Sequence, residues 1–542
     1  MTGSGTRRGT LVVTVVFLVL WGTIAPAAGL TVTDVGVDLE DPADAAEVDV
    51  ADDLEETIDD ALENGSETVE IVVRFEEETP PPGADLEDEL ESHATETQAD
   101  LIDYVDETAG IEVTNQFWLT NAVLLEVDPA VVDLETLAAF DDVTELHGNF
   151  EVSTPEPPSS AESTDDEPGE TTGYRTTGGL AHVGAPGVWE AHGTKGEGVK
   201  VAVLDTGIDA DHPDLSLSTD DPADPTYPGG WAEFDETGAK LEGSTPYDSA
   251  SHGTHVSGTV AGGNASGVHV GVAPEADLAH GLVLHDDRGT FAQIVAGLEW
   301  AVEIDADVIN ASFGIDGTYD GFVEPVRNAR HGGVLVVGAI GNGGAGTSTS
   351  PGNLYDTLSV GAVDSDERVA GFSGGEELTA ANWTEPPDDW PETYAVPDLV
   401  APGVDVESTV PGGEYDRMPG TSMATPHVAG TAALLLSIDG ELGPDDVEDV
   451  LLETARTPSD GAVEDDGRYG HGIVDAVAAA DAVEAARADV GGGDAELETA
   501  ETSEEAAPAA DGMPGYGAIA ALVSISLLLA SRTSLTSRTR RQ

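Results

Sequence analysis

Three short blocks, each of small residues around one polar side chain, constrain the fold of this chain more than any other feature. Val201-Ala-Val-Leu-Asp205-Thr-Gly-Ile-Asp is an apolar run that ends on an acid. Ser251-His252-Gly-Thr-His-Val-Ser-Gly puts an imidazole at the head of a small-residue helix. Gly420-Thr-Ser422-Met-Ala-Thr-Pro-His puts a hydroxyl ahead of a long apolar helix. Acid, imidazole and hydroxyl are the parts of an activated nucleophile: the hydroxyl is weak near neutral pH until a base takes its proton, and the acid orients that base. A fold that uses all three must gather strand ends and helix starts at one edge, as open α/β sheets do at the carboxyl ends of their strands.

The chain between the blocks alternates in the same sense. Residues 199–204, 278–284, 307–311, 333–339 and 358–363 read as buried strands, and 253–262, 291–302 and 423–436 as helices. That repetition predicts an α/β class, with a parallel sheet flanked by helices on both faces. Taken singly, each polar residue has a plainer reading. An Asp before Thr-Gly is a turn or cap residue, a His in His-Gly-Thr-His is a metal ligand or packed side chain, and a Ser at a helix start is an N-cap. His255 reads as packing; a zinc pair with His252 lacks an evident third ligand. His427 also reads as packing.

Jointly and in this order, the blocks resemble the subtilisin-like serine proteases (subtilases), over residues 178–488. The resemblance implies a serine endopeptidase that hydrolyses peptide bonds through an acyl-enzyme, with Asp205 orienting His252 and His252 activating Ser422. Asn342, in Val337-Gly-Ala-Ile-Gly-Asn-Gly, corresponds to the family's oxyanion-hole asparagine, and the Ser422 N–H to the second donor. Substrate would lie as an extended strand along residues 287–290 and Ser312-Phe313-Gly314. Ser312, Phe313, Gly314, Ala339 and Thr349 would frame the pocket for the residue before the cut, which in the family prefers large apolar side chains. No cofactor is implied for catalysis. Asp214 matches a ligand of a structural calcium, although Ala265 stands where a ligating side chain is usual; Asn264 is a substitute, and a hydrated loop acid is the alternative. A non-catalytic surface binding protein and a narrow maturation protease are the competing functional readings.

Upstream, the pattern is strand (69–75), helix (86–105), strand (111–117), strand (122–127), helix (134–140), strand (143–150), after a helical stretch at 52–62. This order is ferredoxin-like, and the block at 48–153 resembles the inhibitory propeptide of subtilases; an accessory α+β domain is the alternative. Residues 154–177, rich in Pro, Ser, Glu and Asp, read as an exposed linker where maturation would cut. The partners implied are protein or peptide substrates and the chain's own propeptide.

The ends of the chain carry addresses. Arg7-Arg8, an apolar run and Ala25-Pro-Ala27-Ala28 make 1–28 a signal peptide, and Thr6-Arg-Arg-Gly-Thr-Leu11 is similar to a twin-arginine signal. After an acidic linker at 489–511, residues 512–542 combine Pro514-Gly515-Tyr516, an apolar run and a basic end. The run is short for a span, which takes about 20 apolar residues. The arrangement resembles the Pro-Gly-Phe sorting tails of archaeal surface proteins, with Tyr516 in place of Phe; a simple membrane helix is the alternative. Either predicts an extracellular, membrane-attached protein. There is no cysteine, which excludes disulfides and thiolate catalysis. The 106 acidic against 19 basic residues give a net charge of −87. Nucleic acid is excluded as a partner for want of a basic patch. Acid spread through the motif-bearing region predicts adaptation to very high salt, where the Debye length falls to about 3 Å; an acidic protein with disordered tails is the alternative.

Overall fold

The computed structural model describes residues 49–50, 54, 68–78, 80, 86–155, 169–171, 173–218, 230–384, 386–458 and 467–497. The segments read as a signal (1–28) and a sorting tail (512–542), nearly all of the expected helical stretch at 52–62 and most of both expected linkers lie outside them.

The N-terminal unit runs β1 (Asp49–Val50), β2 (Val69–Phe75), α1 (Leu86–Glu107), β3 (Ile111–Phe117), β4 (Ala122–Val127), α2 (Leu134–Leu137), β5 (Val143–Gly148) and β6 (Glu151–Ser153). The first five strands form one sheet in the order β1-β5-β2-β4-β3. β2 is apolar on both faces because both faces are covered. Ile71, Val73 and Phe75 pack with Leu101 and Val105 of α1. Val72 and, on β4, Leu124 point the other way into a second core, shared with the larger unit.

That larger unit holds a seven-stranded sheet built from β7 (Lys200–Asp205), β8 (Trp231–Glu233), β9 (Asp277–Leu282), β11 (Val308–Ala311), β12 (Leu335–Ala339), β13 (Leu358–Val363) and β14 (Leu399–Pro402). Its order is β8-β9-β7-β11-β12-β13-β14, and every pairing is parallel. β10 (Arg288–Thr290) stands outside it. Val201 and Val203 face the core with α3 (His252–Ala261) and α6 (Thr421–Ile438). Ala202 and Leu204 face the core with α4 (Phe291–Glu303) and α5 (Val323–His331). Burial on both faces is why these strands read as unbroken apolar runs. β7 is flanked by β9 on one side and β11 on the other, so chain order reverses at its carboxyl end, where a crevice opens. Asp205 ends that strand.

Two expectations are corrected. Ser422 does not precede its helix; it lies in the first turn, with Gly420 as the cap. The segment 154–177 is not all linker: Gly169–Thr171 and Tyr174–Thr176 pair as a hairpin. The ring of Tyr174 stands edge-on to Trp189, their centroids 5.2 Å apart. An aromatic contact of this kind anchors an otherwise polar stretch.

Candidate active site

Asp205 is fully buried, and its Oδ1 lies 2.7 Å from Nδ1 of His252. A carboxylate only accepts, so Nδ1 carries the proton and Nε2 is left with a lone pair. The backbone N–H of Thr206 also donates to Oδ1, at 2.7 Å. Burial pulls the pKa of His252 down, but the charge of Asp205, its hydrogen bond, and Asp287 and Asp248 beyond it outweigh burial, and the pKa is raised.

The two elements that carry Asp205 and His252 are tied by a residue the sequence reading passed over. Asp248 accepts the Thr206 hydroxyl at 2.8 Å and the Ser251 N–H at 2.9 Å through Oδ1, and the Thr254 N–H at 2.8 Å through Oδ2. It holds Ser251 at φ +83°, a left-handed conformation unusual for serine, just where α3 begins. His280 of β9 braces the same turn: its Nε2 accepts the Gly207 N–H at 3.1 Å, so a neutral ring donates from Nδ1 to Ser257 at 2.9 Å. Burial lowers its pKa to about 4, which keeps it neutral.

Ser422 is placed by a proline. Pro426 lacks the N–H that would bond the Ser422 carbonyl four residues back. That carbonyl accepts the Ser312 hydroxyl instead, at 3.0 Å, which pins the end of β11 to the start of α6. In return the Ser422 hydroxyl donates to the Ser312 carbonyl at 3.2 Å. Asn342 follows β12. Its Oδ1 accepts both the N–H (3.0 Å) and the hydroxyl (3.1 Å) of Thr421, which fixes the amide so that Nδ2 faces the crevice.

The crevice already holds a strand of the chain itself. β6 pairs antiparallel with β10 on one side. On the other, Ser153 donates to the Gly314 carbonyl at 3.1 Å and accepts from the Gly314 N–H at 2.9 Å. Thr154 donates to the Asp287 carbonyl at 3.1 Å, and Asn342 Nδ2 donates to the Pro155 carbonyl at 3.4 Å. Ser312 and Gly314 line this groove through their backbone, while the Phe313 ring is buried in the core. Ala339 accepts the Thr349 hydroxyl at 3.2 Å.

His255 and His427 are packed groups. The first meets the Val406 carbonyl at 2.9 Å, the second the Met423 carbonyl at 2.8 Å, and burial lowers each pKa to about 4. Asp214 is held by donors of the protein itself. Its Oδ2 accepts the Tyr415 hydroxyl at 2.6 Å and its Oδ1 the Ala265 N–H. Asn264 is turned to His269, at 3.0 Å. Among the described residues, no three or more His, Asp or Glu gather in a group that could hold a metal ion.

Sequence comparison finds relatives of known family over this part of the chain. The profile of the Subtilase family matches residues 196–472. Subtilisin E of Bacillus subtilis is 38% identical over 308 residues, covering 56% of this chain and 70% of that protein. The subtilisin of Bacillus pumilus is 38% identical over 308 residues, 56% of this chain and 98% of its own length. The intracellular serine protease of Paenibacillus polymyxa is 40% identical over 264 residues, 47% and 72% of the two chains.

Proposed function

This chain belongs to the subtilase family of serine peptide hydrolases, and from that premise we propose an exported endopeptidase made as a self-processed precursor, with Asp205, His252 and Ser422 as its relay. The observation that carries the reading is the 2.7 Å contact between Asp205 and Nδ1 of His252, which leaves Nε2 free to take a proton. The Ser422 hydroxyl leaves the Ser312 carbonyl, turns to Nε2 and attacks the substrate carbonyl as its proton passes to His252. Asp205 stabilises the imidazolium. Asn342 Nδ2 and the Ser422 N–H receive the oxyanion. His252 returns the proton to the leaving amine, and water then releases the acyl group.

The N-terminal unit acts as a ferredoxin-like inhibitory propeptide. Its order of strands and helices and the seating of 151–155 in the crevice support that role. The signal-like composition of 1–28 and the Pro-Gly-Tyr, apolar and basic run of 512–542 support a place at the cell surface, held to the membrane through the C-terminal segment. The excess of 106 acidic over 19 basic residues supports a working medium of molar salt. Protein or peptide chains are its substrates.

A fluorophosphonate applied in molar salt tests the reading: Ser422 becomes labelled, and Ser422→Ala is neither labelled nor processed. A folded wild-type protein that takes no label is a binding protein, and a Ser422→Ala chain that matures when expressed alone refutes self-processing.

A further inference from the structure

The register of the strand in the crevice singles out one bond. Ser153 and Gly314 exchange both of their backbone hydrogen bonds. Facing residues of an antiparallel ladder step in opposite directions. Two residues after Ser153 comes Pro155, and two before Gly314 comes Ser312, so these face each other. An ordinary residue at 155 would donate its N–H to the Ser312 carbonyl; proline has none to give. The Ser422 hydroxyl takes that acceptor instead, at 3.2 Å. The Pro155 carbonyl itself lies 3.4 Å from Nδ2 of Asn342, the donor whose direction Thr421 fixes.

The space for a side chain at this position is small. Thr349 is 5% exposed and wedged between the two backbone walls of the pocket. A Cβ on Gly314 would meet its Oγ1 at 2.8 Å, and a Cβ on Gly341 would meet its Cγ2 at 2.6 Å. Its hydroxyl is held on the Ala339 carbonyl, so it does not swing aside freely. A proline ring or a methyl group fits above such a floor, and a large aromatic ring does not. The well-buried apolar residue of the bound strand is Val152, 1% exposed and three residues upstream of Pro155.

We propose that the bond the precursor cuts in itself is Pro155–Glu156, in a groove that Thr349 restricts to a small residue before the cut. The inference rests on the serine hydrolase reading above. Ser422 Oγ bonds to the carbonyl carbon of Pro155, the bond to the Glu156 nitrogen breaks, and the proton from Ser422 passes through His252 to that nitrogen. Water then supplies a hydroxyl to Pro155 and a proton back to Ser422. Proline makes the cut slow, because the missing N–H leaves Ser312 to compete with His252 for the Ser422 hydroxyl.

The test lets the full chain fold and process in molar salt made with ¹⁸O water, and reads the released N-terminal fragment by mass spectrometry at early times. The expected fragment ends at Pro155 and carries one ¹⁸O in its new carboxylate. A fragment ending elsewhere, from protein whose Ser422 still takes fluorophosphonate, overturns this proposal and leaves the hydrolase reading standing. Neither cut nor label overturns both. Pro155→Ala should be cut at the same bond about five- to tenfold faster, the gain of one peptide hydrogen bond. Pro155→Trp regains the same N–H, so its size is read against Pro155→Ala: it should be cut more than about tenfold slower than that variant, consistent with the cost of overpacking, and Thr349→Gly should restore it. Pro155→Trp cut as fast as Pro155→Ala removes the size restriction.

Discussion

Glu299, on α4 of the catalytic unit, accepts the backbone N–H groups of Trp118 and Leu119 from the N-terminal unit through one oxygen, at 2.6 and 2.9 Å. The turn between β3 and β4 is therefore held by an acid that the interface has sealed from water. Burial pushes the Glu299 carboxyl up to about 8, against the pull of the two N–H groups, and Glu303 and Glu91 push the same way. Across the same interface burial also pushes Glu77 up to about 8, with Arg74 opposing and Glu324 adding to the rise.

A raised carboxyl pKa means that the assembled state binds more protons than the open one, so stability falls as pH rises. The window runs from the ordinary value of about 4.3 up to about 8. The unfolding free energy of the uncut Ser422→Ala precursor should therefore drop between about pH 5 and pH 8 by an amount on the order of a few kcal/mol, seen as a falling melting temperature. Adding Glu299→Gln should flatten the slope without abolishing it, because Glu77 remains. A melting temperature that rises across this range contradicts the assignment.

The relay and the oxyanion donor should fail in different ways. Asn342→Ala removes one donor aimed at the developing charge and keeps the Asp205–His252 pair, so kcat should fall about 10²–10³-fold, the loss seen for the equivalent change in subtilisin itself, with KM little changed. Asp205→Asn removes the charge that lifts the His252 pKa and disturbs its tautomer. There kcat should fall by about 10⁴, and the acid limb of the pH profile should move to lower pH. Wild-type activity should be lost as pH falls through the raised His252 pKa, since only the neutral ring takes a proton. Steady-state kinetics on a peptide substrate across pH checks all three, and an Asp205→Asn profile unmoved on its acid side would break the link.

The parts of this site that were legible in the sequence are those whose neighbours are local. Asp205 ends a run of apolar residues, His252 and Ser422 head helices of small residues, and strands buried on both faces read as such. What escaped depends on residues far apart in the chain. Asp248 lies in a loop of no special composition and gains its role only where Thr206 and Thr254 meet it. Glu299 looks like any helix acid until Trp118, 181 residues away, closes over it. Thr349 was read as framing the pocket, but that it fills the floor follows only from its approach to Gly314 and Gly341. The hairpin at 169–176 hides in a polar stretch because its anchor, Trp189, belongs to a later helix.

The loop around Asp214 should be indifferent to calcium. Tyr415 and the Ala265 N–H satisfy the carboxylate from inside the protein, and Ala265 offers no side-chain oxygen. Chelation by EGTA in molar salt should leave the melting temperature unchanged. Tyr415→Phe should cost about 1–2 kcal/mol by stranding a buried acceptor, and added calcium should restore little of it. A large fall in melting temperature on chelation of the wild type would show that a cation is held here.

Salt is the last and broadest test. The chain carries 106 acidic and 19 basic residues, so pairing every cation still leaves a surplus of 87 acids. The cations that are described are largely committed: Arg327 to Asp389 at 2.8 Å, Arg330 to Glu448 at 2.6 Å, Lys195 to Glu275 at 3.2 Å. The two with an exposed acid, Lys195–Glu275 and Arg327–Asp389, contribute at most about 1 kcal/mol each. The surplus is concentrated into a smaller volume when the chain folds, so repulsion opposes the compact state unless ions screen it. At about 0.1 M salt the Debye length is about 10 Å and neighbouring surface acids feel one another; at about 1 M it is about 3 Å and they largely do not. Dilution from molar to 0.1 M salt should therefore unfold the protein and abolish peptide hydrolysis, and returning the salt promptly should restore the far-ultraviolet circular dichroism. The Ser422→Ala variant should behave the same way, which separates unfolding from self-digestion. Equal circular dichroism in dilute and molar salt would mean that the surplus acid is tolerated by some means other than screening.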